Sequence, residues 1–594
     1  MRYVFIIILY LLFSCNQGDV SSIDSSDPFS YLNHNDTVKY VGKEVCKTCH
    51  IEIYNSFLET GMGSSFDVSS KHKSLIDDNE NIIIYDEFKN LYYHPVWKND
   101  SLFLVEFRLS NNDTVHKRVE KINYIIGSGH HTNSHLYEIN GYVHQIPYTF
   151  YSQESRSDLP PGYENGNNSR FSRQIGLECM SCHNAYSDHD ETSVNRYNRI
   201  ANGIDCEICH GPGEIHVAQK SKGIIIDTSK YTDYSIVNPR RLSQDLQFDV
   251  CKRCHLQGTA VLQEGKGWED FLPGKNLNEF IEVYLPKYEN DDHFIMASHV
   301  DRLQQSKCYN SAQINCITCH NPHKSVRSLS DDFFNNKCLD CHVDVHDTNE
   351  KLDCISCHMR KSTSIDIPHV SITDHKISNP EPKKEKGQFI GLVCINNENP
   401  TYLSRAKAYL KQFESFESNL VYLDSAKMFL DLSVDENTYP FYIKYFYLNN
   451  DYLGLIRYVE SYDLDNQYEN ITNSVLSETY FRIAEAYSQY KFLDVAYENY
   501  LRSLEISPNN LRFQLKMAVL EIKMSKFESA KLRLENIIEK NPRYTRAYFN
   551  LGSIYMNVYK DNNLAKIYFQ KAVDLDPDYK LAKDNLKYIE NFDD

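Results

Sequence analysis

The sequence predicts a mainly α-helical chain with two successive parts, the first interrupted by a small antiparallel β insert and the second an α-solenoid of helix pairs. Three observations predict this fold class. The pattern C-x-x-C-H occurs seven times in the first part. A stretch rich in Tyr, Ile, Val and Phe lies at about 80–150. Beyond residue 400, small residues recur with the 34-residue period of stacked helix pairs.

C-x-x-C-H is the attachment signature of c-type haem, because two thiols three residues apart reach the two vinyl groups of one porphyrin while the next imidazole lies beneath the iron. For 17 Cys and 23 His in 594 residues, random order predicts roughly 0.02 copies. A zinc half-site or a disulfide is the alternative interpretation of a single copy. Neither requires a histidine after every cysteine pair, so we expect seven covalently attached haem c groups.

Each motif supplies two thioether cysteines and the proximal ligand of its haem iron. The cysteines are Cys46, Cys49, Cys179, Cys182, Cys206, Cys209, Cys251, Cys254, Cys316, Cys319, Cys338, Cys341, Cys354 and Cys357. The proximal histidines are His50, His183, His210, His255, His320, His342 and His358. The remaining cysteines are Cys15, Cys308 and Cys394. A buried thiol is the default role for Cys308, and the role of Cys394 stays open.

The chain is acidic, with 63 Lys and Arg against 81 Asp and Glu and a net charge of -18. This balance argues against a nucleic-acid partner, which requires a basic surface. It suits a basic redox partner protein, although a simply solvated acidic surface has the same composition.

The N-terminus predicts export. One Arg precedes an apolar run at 3–13 that is too short to span a bilayer, as in a signal peptide covering 1–15. Ser14 and Cys15 resemble the end of a bacterial lipobox, which makes Cys15 the lipidated residue of a membrane-anchored protein; an ordinary cleavage site is the alternative. Residues 16–38 read as a flexible tether. We expect a periplasmic or cell-surface lipoprotein of a Gram-negative outer membrane.

The segments YVGKEVCKTCH and CHGPGEIH resemble the multihaem cytochromes of the cytochrome c554 and c-prime type, which are related to the hydroxylamine oxidoreductase group. The resemblance implies a haem-packed multihaem cytochrome domain over 39–377. It also implies a distal ligand of the first haem on the helix after the first motif, where this chain has Met62 in place of the family's usual His. A methionine ligand raises the reduction potential; apolar packing is the alternative role.

Four segments within 80–150 predict antiparallel strands, and Asn140-Gly141 predicts a hairpin turn. Inside this insert, IGSGHHTNSHL is similar to a GSG-x-H-x-x-S stretch of tetratricopeptide-bearing relatives, which places His131 at a ligand position. A surface histidine is the alternative.

Two histidines follow a motif too closely to be the sixth ligand of its own haem. His216 comes six residues after His210, and His323 three residues after His320. His216 and His323 each lie on the same porphyrin face as the proximal histidine that they follow. The sixth ligand must come from the opposite face, so we expect each of them to bind an adjacent haem. Resemblance and this argument give one candidate distal ligand for each iron: Met62, His131, His216, His299, His323, His369 and His375, with His144, His293 and His346 as substitutes.

Prolines and a charge run after residue 377 predict a linker over 378–399, followed by a helical tetratricopeptide repeat (TPR) domain over 400–594. Clear repeats cover 477–510, 511–544 and 545–579, with one extra residue assigned to the KDNN turn of the third. Segment 400–475 matches weakly and predicts degenerate repeats, and the last residues predict a capping helix.

Three functions fit these observations. In the first, the haems carry electrons between redox partner proteins, while the TPR groove docks another protein. In the second, one haem keeps an open site for a nitrogen or sulfur oxyanion, as in the hydroxylamine oxidoreductase and nitrite reductase relatives. In the third, the chain is mainly a scaffold. No C-x-x-C-K motif marks a nitrite reductase haem, yet a C-x-x-C-H haem can also be catalytic, so the sequence leaves open whether the chain is an enzyme.

Overall fold

The computed structural model describes residues 30–77, 82–290, 295–312, 314–330, 332–342, 353–364, 366–379, 387–434, 436–462 and 471–593. The predictions for Cys15, the signal peptide, His293 and His346 lie outside these residues. Helices form 44% of the structure and strands 17%, which confirms a mainly α chain with antiparallel sheets. None of the helices in the described residues combines the length and apolarity that a bilayer-crossing helix needs.

The first part of the chain contains short helices, many of which carry a motif. They are α1 (Lys43–Lys47), α2 (Ile51–Leu58), α3 (Leu177–His183), α4 (Glu207–His210), α5 (Glu214–Ser221), α6 (Gln244–His255), α7 (His299–Gln304), α8 (Lys307–Ala312), α9 (Cys316–Cys319), α10 (Phe333–Leu339) and α11 (Cys354–His358).

The β insert consists of two antiparallel sheets. The first has the order β2-β3-β4-β5 and the second the order β1-β6-β7-β8-β9. Their strands are β1 (Phe66–Val68), β2 (Ile84–Asp86), β3 (Leu91–Lys98), β4 (Ser101–Ser110), β5 (Asp113–Lys121), β6 (Tyr124–Ile126), β7 (Thr132–Ile139), β8 (Tyr142–Tyr151) and β9 (Arg156–Asp158). Asn140 and Gly141 connect β7 to β8 with φ of 51° and 87°, as the Asn-Gly hairpin signal predicts.

Three smaller sheets follow. They contain β10 (Asp188–His189) with β11 (Tyr197–Arg199), β12 (Thr259–Leu262) with β13 (Ile281–Tyr288) and β16 (Phe389–Cys394), and β14 (Lys361–Thr363) with β15 (Ser371–Thr373). β16 lies within the predicted linker and differs from that prediction, because Cys394 pairs with Tyr284 in an antiparallel ladder. The aromatic and β-branched residues of FIGLVC favour a strand. The prolines and the charge run that precede this segment predict a linker instead.

The second part is a series of antiparallel helices, and segment 400–475 contributes helices to it as predicted. They are α12 (Tyr402–Ser415), α13 (Leu420–Leu432), α14 (Tyr439–Leu448), α15 (Tyr452–Glu460), α16 (Asn473–Gln489), α17 (Leu493–Ile506), α18 (Leu511–Lys523), α19 (Phe527–Lys540), α20 (Thr545–Ile554), α21 (Asn562–Leu575) and α22 (Lys580–Asp593).

Small repeat residues lie where helices approach one another. Ala484, Ala518 and Ala530 are fully buried. At Gly552, a Cβ atom would lie 2.8 Å from the ring of Phe569 on the facing helix. The close packing of α20 against α21 therefore requires glycine at this position.

The extra residue of the third repeat lies inside a helix, which differs from the predicted KDNN turn. The turn residues Lys491, Ser525 and Lys560 all have left-handed φ, of 65°, 60° and 58°. The turn conformation is thus the same in each repeat. The residues before it, Tyr555–Tyr559, form a π-helix that continues α20. A π-bulge absorbs one inserted residue without changing the following turn.

The last repeat packs against the first sheet of the β insert. Arg108 donates two hydrogen bonds to Asp578, at 2.9 and 2.8 Å. Arg118 and Arg170 donate to the carbonyl oxygen of Leu575 at the C-terminus of α21, at 3.1 and 3.0 Å. Cationic side chains are favourable there because a helix dipole is negative at its C-terminus.

A buried carboxylate anchors this interface from the sheet side. Glu106 is 0% exposed and binds Arg170 and His116, while Arg170 also reaches Asp576 at 2.9 Å. Burial alone would raise the pKa of Glu106, but the charge and hydrogen bonds of Arg170 and the bond from His116 lower that pKa to about 2. The insert and the solenoid are thus joined by a continuous ionic network.

Candidate haem centres

The C-x-x-C-H motifs fold as helical turns. The backbone N–H of the histidine donates to the carbonyl of the first cysteine at 3.0 Å in the first motif and at 3.1, 2.9 and 2.9 Å in the third, fifth and sixth. This turn places the two thiols and the imidazole on neighbouring positions of one helix face, the arrangement that a covalently bound porphyrin requires.

The cysteines of the described residues form no disulfide. Instead, thiols of different motifs are neighbours. The pKa of Cys46 is raised chiefly by its hydrogen bond with Cys206, and the pKa of Cys251 by its bond with Cys316. The first motif therefore adjoins the third, and the fourth adjoins the fifth.

Two further thiol contacts extend this series. The pKa of Cys182 is lowered to about 7, mainly by its hydrogen bond with Cys254, which brings the second motif against the fourth. Burial, together with the nearby Cys354, raises the pKa of Cys338 to about 11. The sixth and seventh motifs are thus adjacent as well.

Three proximal histidines lie 6.0–6.5 Å, between ring centroids, from a histidine elsewhere in the chain. The ring centroids of His50 and His216 are 6.5 Å apart, and those of His210 and His323 are 6.0 Å apart with an angle of 6° between the ring planes. The third pair is given by His320 and His375 at 6.2 Å.

These separations fit an iron atom between two imidazoles. A nitrogen lies about 2 Å from a coordinated first-row metal, so two trans imidazoles have centroids roughly 6 Å apart once the ring radius is added. The residues present therefore fit bis-histidine haem ligation at the first, third and fifth motifs.

His255 of the fourth motif faces His299 at 5.5 Å, with the ring planes at 87°. His299 also lies 4.7 Å from His375. Burial and the neighbouring histidines lower the pKa of His299 to about 2, and its buried Nδ1 atom has no hydrogen-bond partner. His299 is therefore a neutral imidazole, the form that binds metals.

Several of these imidazoles are held through Nδ1, which leaves Nε2 available for a metal. The Nδ1 atom of His210 lies 2.8 Å from the Val237 carbonyl oxygen, and that of His216 lies 3.0 Å from Ser235 Oγ. His375 is held in the same way, 3.0 Å from the Thr373 carbonyl.

Met62 and His369 occupy positions that differ from the predicted ligand roles. Met62 packs in an apolar cluster with Phe57 and Ile208, and the imidazole that faces His50 is His216. The two ring nitrogens of His369 contact carboxylates instead, with Nδ1 3.1 Å from Glu154 and Nε2 3.2 Å from Asp158. Both nitrogens are engaged, so neither is free for an iron atom.

His131 and the substitute His144 lie in the β insert. The Nδ1 atom of His131 is 3.2 Å from Gln153 Nε2, and burial lowers its pKa. His144 is a buried residue of β8 whose ring stacks on Tyr137 at 5.2 Å. The structure places neither ring in contact with a proximal histidine among the described residues.

His183 of the second motif has a different environment, which the sequence did not indicate. Burial and the charges of Lys73 and His255 lower its pKa to about 4. Among the described residues, no other aromatic or imidazole ring contacts it. The Lys73 ammonium donates to the carbonyl oxygens of Ser64 and Gly127, and burial lowers its pKa to about 8. A lone lysine in a turn carries no recognisable sequence signal.

His342 likewise contacts no other ring among the described residues, and the Nδ1 atom of His358 lies 3.1 Å from the Ser378 carbonyl. Cys308 and Cys394 are half-buried thiols outside the motifs.

Comparisons with known proteins agree with two parts of this organisation. Residues 148–211 match the family described as cytochrome c554 and c-prime, a segment that contains the second and third motifs. Residues 545–579 match a tetratricopeptide repeat. No curated protein matches the chain.

Solved structures similar to the chain are TPR proteins. The Arabidopsis OM64 TPR domain is 19% identical, with 20% of this chain and 99% of that chain covered and a TM-score of 0.20. YrrB, a TPR protein with an unusual peptide-binding site, is 18% identical, with 31% and 90% covered and a TM-score of 0.25. The second TPR domain of human RPAP3, in complex with an HSP70 peptide, is 21% identical, with 20% and 98% covered and a TM-score of 0.19.

A cytochrome c554 segment implies covalently bound haem c. The chain therefore combines a c-type cytochrome segment with a TPR module of the kind that binds other proteins.

Proposed function

We propose that this protein is an exported c-type cytochrome that carries electrons along seven covalently bound haems and uses its TPR module to dock a partner. The observation that carries the proposal is the set of imidazole pairs with centroids 6.0–6.5 Å apart. Each pair joins a motif histidine to a histidine from another part of the chain.

The same pairs link neighbouring haems. His216 follows the third motif and faces the first, and His323 follows the fifth motif and faces the third. Folding the chain thus brings the first, third and fifth motifs together. The thiol contacts of Cys182 with Cys254 and of Cys251 with Cys316 add the second and fourth to this series.

The bound haems supply one-electron chemistry, since each iron alternates between the ferric and ferrous states. The contribution of the chain's own residues is to fix the imidazoles. Val237, Ser235 and Thr373 hold the Nδ1 atoms of their ligands, and His216 takes the position opposite His50 that the family resemblance had given to Met62. Two imidazoles held in this way would both be ligands of one haem, which would supply electron transfer and would leave no ligand position for a substrate.

A coulometric titration of the purified full-length protein tests this proposal. We expect seven electrons per chain, with no change of the low-spin absorbance of the paired haems when cyanide or nitrite is added. Fewer than seven electrons in fully matured protein would contradict the haem count.

The surroundings of His183 favour a second candidate function, an oxidoreductase with one open haem. Among the described residues, no other ring faces His183. The ammonium of Lys73 lies close enough to lower the pKa of His183. A cation beside an open iron position would stabilise a bound oxyanion. Low-temperature EPR of the oxidised protein distinguishes the candidates, because a high-spin signal that nitrite or hydroxylamine converts to low spin would favour the enzyme.

The N-terminal sequence supports export and a lipid anchor at Cys15, and the TPR module supports docking of a protein partner. Replacing Cys15 with Ala should release the protein from the membrane fraction. Unchanged partitioning would favour an ordinary signal peptide.

A further inference from the structure

The third motif contains a buried carboxylate between its two cysteines. Glu207 directly follows Cys206 and is 1% exposed. Burying a carboxylate is unfavourable unless its oxygens accept hydrogen bonds. The groups that donate to Glu207 therefore indicate what this side chain holds in place.

Three backbone N–H groups donate to the Glu207 carboxylate. The nitrogens of Val41 and Gly213 lie 2.9 and 2.8 Å from Oε1, and the nitrogen of Gly42 lies 2.7 Å from Oε2. Gly42 is the residue before α1, and Gly213 is the residue before α5. One side chain of the third motif therefore binds the starts of two other helices.

These two helices carry the two sides of the first imidazole pair. The helix α1 contains Cys46 and leads into His50, whereas α5 contains His216. The imidazoles of His50 and His216 have centroids 6.5 Å apart, with 21° between the ring planes. Because both helices start on the same carboxylate, the spacing of the two imidazoles depends on Glu207.

The packing around this carboxylate is close. At Gly213, a Cβ atom would lie 3.2 Å from Glu207 Oε1 and 3.0 Å from a methyl carbon of Val41. Glycine therefore allows the start of α5 and the segment before α1 to reach the same two oxygens. The N-terminal segment also contacts the third motif further upstream, where the buried Asn33 donates to the carbonyl oxygen of His210 at 3.0 Å.

The two supports of His216 act on different movements of the imidazole. The Ser235 hydroxyl, 3.0 Å from Nδ1, sets the rotation of the ring. Glu207 sets the position of the helix start, through the N–H of Gly213 three residues before His216. Loss of the hydroxyl would turn the imidazole, whereas loss of the carboxylate would displace it.

We propose that Glu207 is a positioning residue of the first haem, which holds α1 and α5 at the separation that lets His50 and His216 bind one iron. The carboxylate acts through these two helices and not on the iron. The inference rests on the proposed bis-histidine haem at the first motif. It goes further by giving the third motif control over the ligand geometry of the first.

The substitution Glu207→Gln tests this role. An amide has one accepting oxygen in place of two, so at least one of the three N–H groups loses its partner and a helix start is released. The measurement is low-temperature EPR of the oxidised, full-length protein, and the low-spin signal that disappears in His216→Ala identifies the first haem. In Glu207→Gln we expect this signal to shift or to convert in part to high spin, with the wild-type number of haems per chain.

Glu214→Gln is the matched control. It removes the same charge from an exposed position next to Gly213, and its amide oxygen can still accept the single N–H of Lys39, at 2.9 Å in the wild type. The control should keep the wild-type signal. An unaltered first-haem signal in Glu207→Gln, or an equal change in the control, would overturn the inference alone. If no signal disappears in His216→Ala, the proposed ligation fails and the inference fails with it.

If Glu207→Gln does not mature, hydrogen exchange of the wild-type protein tests the same three bonds. The amides of Val41, Gly42 and Gly213 should exchange more than about tenfold more slowly than those of exposed loops, since each is held by a buried acceptor. Exchange of these amides at the rate of exposed loops would overturn the inference.

Discussion

At the scale of single residues, His216 and Met62 are two candidate ligands of the first haem that lie in different surroundings. Both follow a motif closely in the sequence. His216 faces His50 with its Nδ1 atom held by Ser235, whereas Met62 packs among apolar side chains. The argument that a histidine close behind a motif must serve another haem favours His216 as the partner of His50, whereas the family position favours Met62.

Replacing His216 with Ala should convert one haem of the seven from low spin to high spin, because His50 alone would remain on that iron. Redox titration and EPR measure the change. The matched control, Met62→Leu, should leave all seven potentials nearly unchanged, since it keeps an apolar side chain in the same cluster. A large drop in one potential in Met62→Leu, with an unaltered His216→Ala spectrum, would reverse the assignment.

At the scale of secondary-structure elements, regular local patterns were predictable and tertiary partners were not. The seven motifs, the Asn140-Gly141 hairpin and the 34-residue period rest on short-range rules of geometry. The pairing of β16 with β13 and the contacts of His369 with Glu154 and Asp158 join residues that are far apart in sequence. No local pattern specifies such contacts, so they required the fold.

Gly552→Ala should destabilise the solenoid by about 1–3 kcal/mol, the usual cost of an overpacked core, because the new Cβ would meet the Phe569 ring at 2.8 Å. Urea unfolding followed by far-UV circular dichroism measures the loss. In the control, Gly267→Ala, the nearest atom is an Asp270 oxygen at 3.5 Å, an ordinary contact. Similar stabilities of the two variants would show that α20 and α21 can separate without cost.

At the scale of the whole molecule, the ionic network around Glu106 joins the β insert to the last repeat. The pKa of Glu106 is lowered from 4.5 to about 2 in the folded protein. A carboxylate with a lowered pKa contributes stability that is fully present above its unfolded value of 4.5 and is lost as the pH falls toward 2. The interface should therefore weaken in acid.

The substitution Glu106→Gln removes this titration. The variant should be less stable than the wild type at pH 7, because Arg170 and His116 lose their carboxylate, and its stability should vary less between pH 5 and pH 3. Thermal unfolding at a series of pH values gives both quantities. Glu52→Gln, at an exposed position of α2, is the control and should follow the wild type. A pH dependence of Glu106→Gln as steep as that of the wild type would place the acid sensitivity elsewhere.

The central claim is that every C-x-x-C-H motif carries one covalently bound haem. Mass spectrometry of proteolytic peptides from the matured, full-length protein tests it most directly. We expect the mass of one haem on each peptide that contains a motif, including the closely spaced motifs at Cys338 and Cys354, and none on peptides that contain Cys308 or Cys394. A motif peptide recovered without haem, with both thiols free, would contradict the claim.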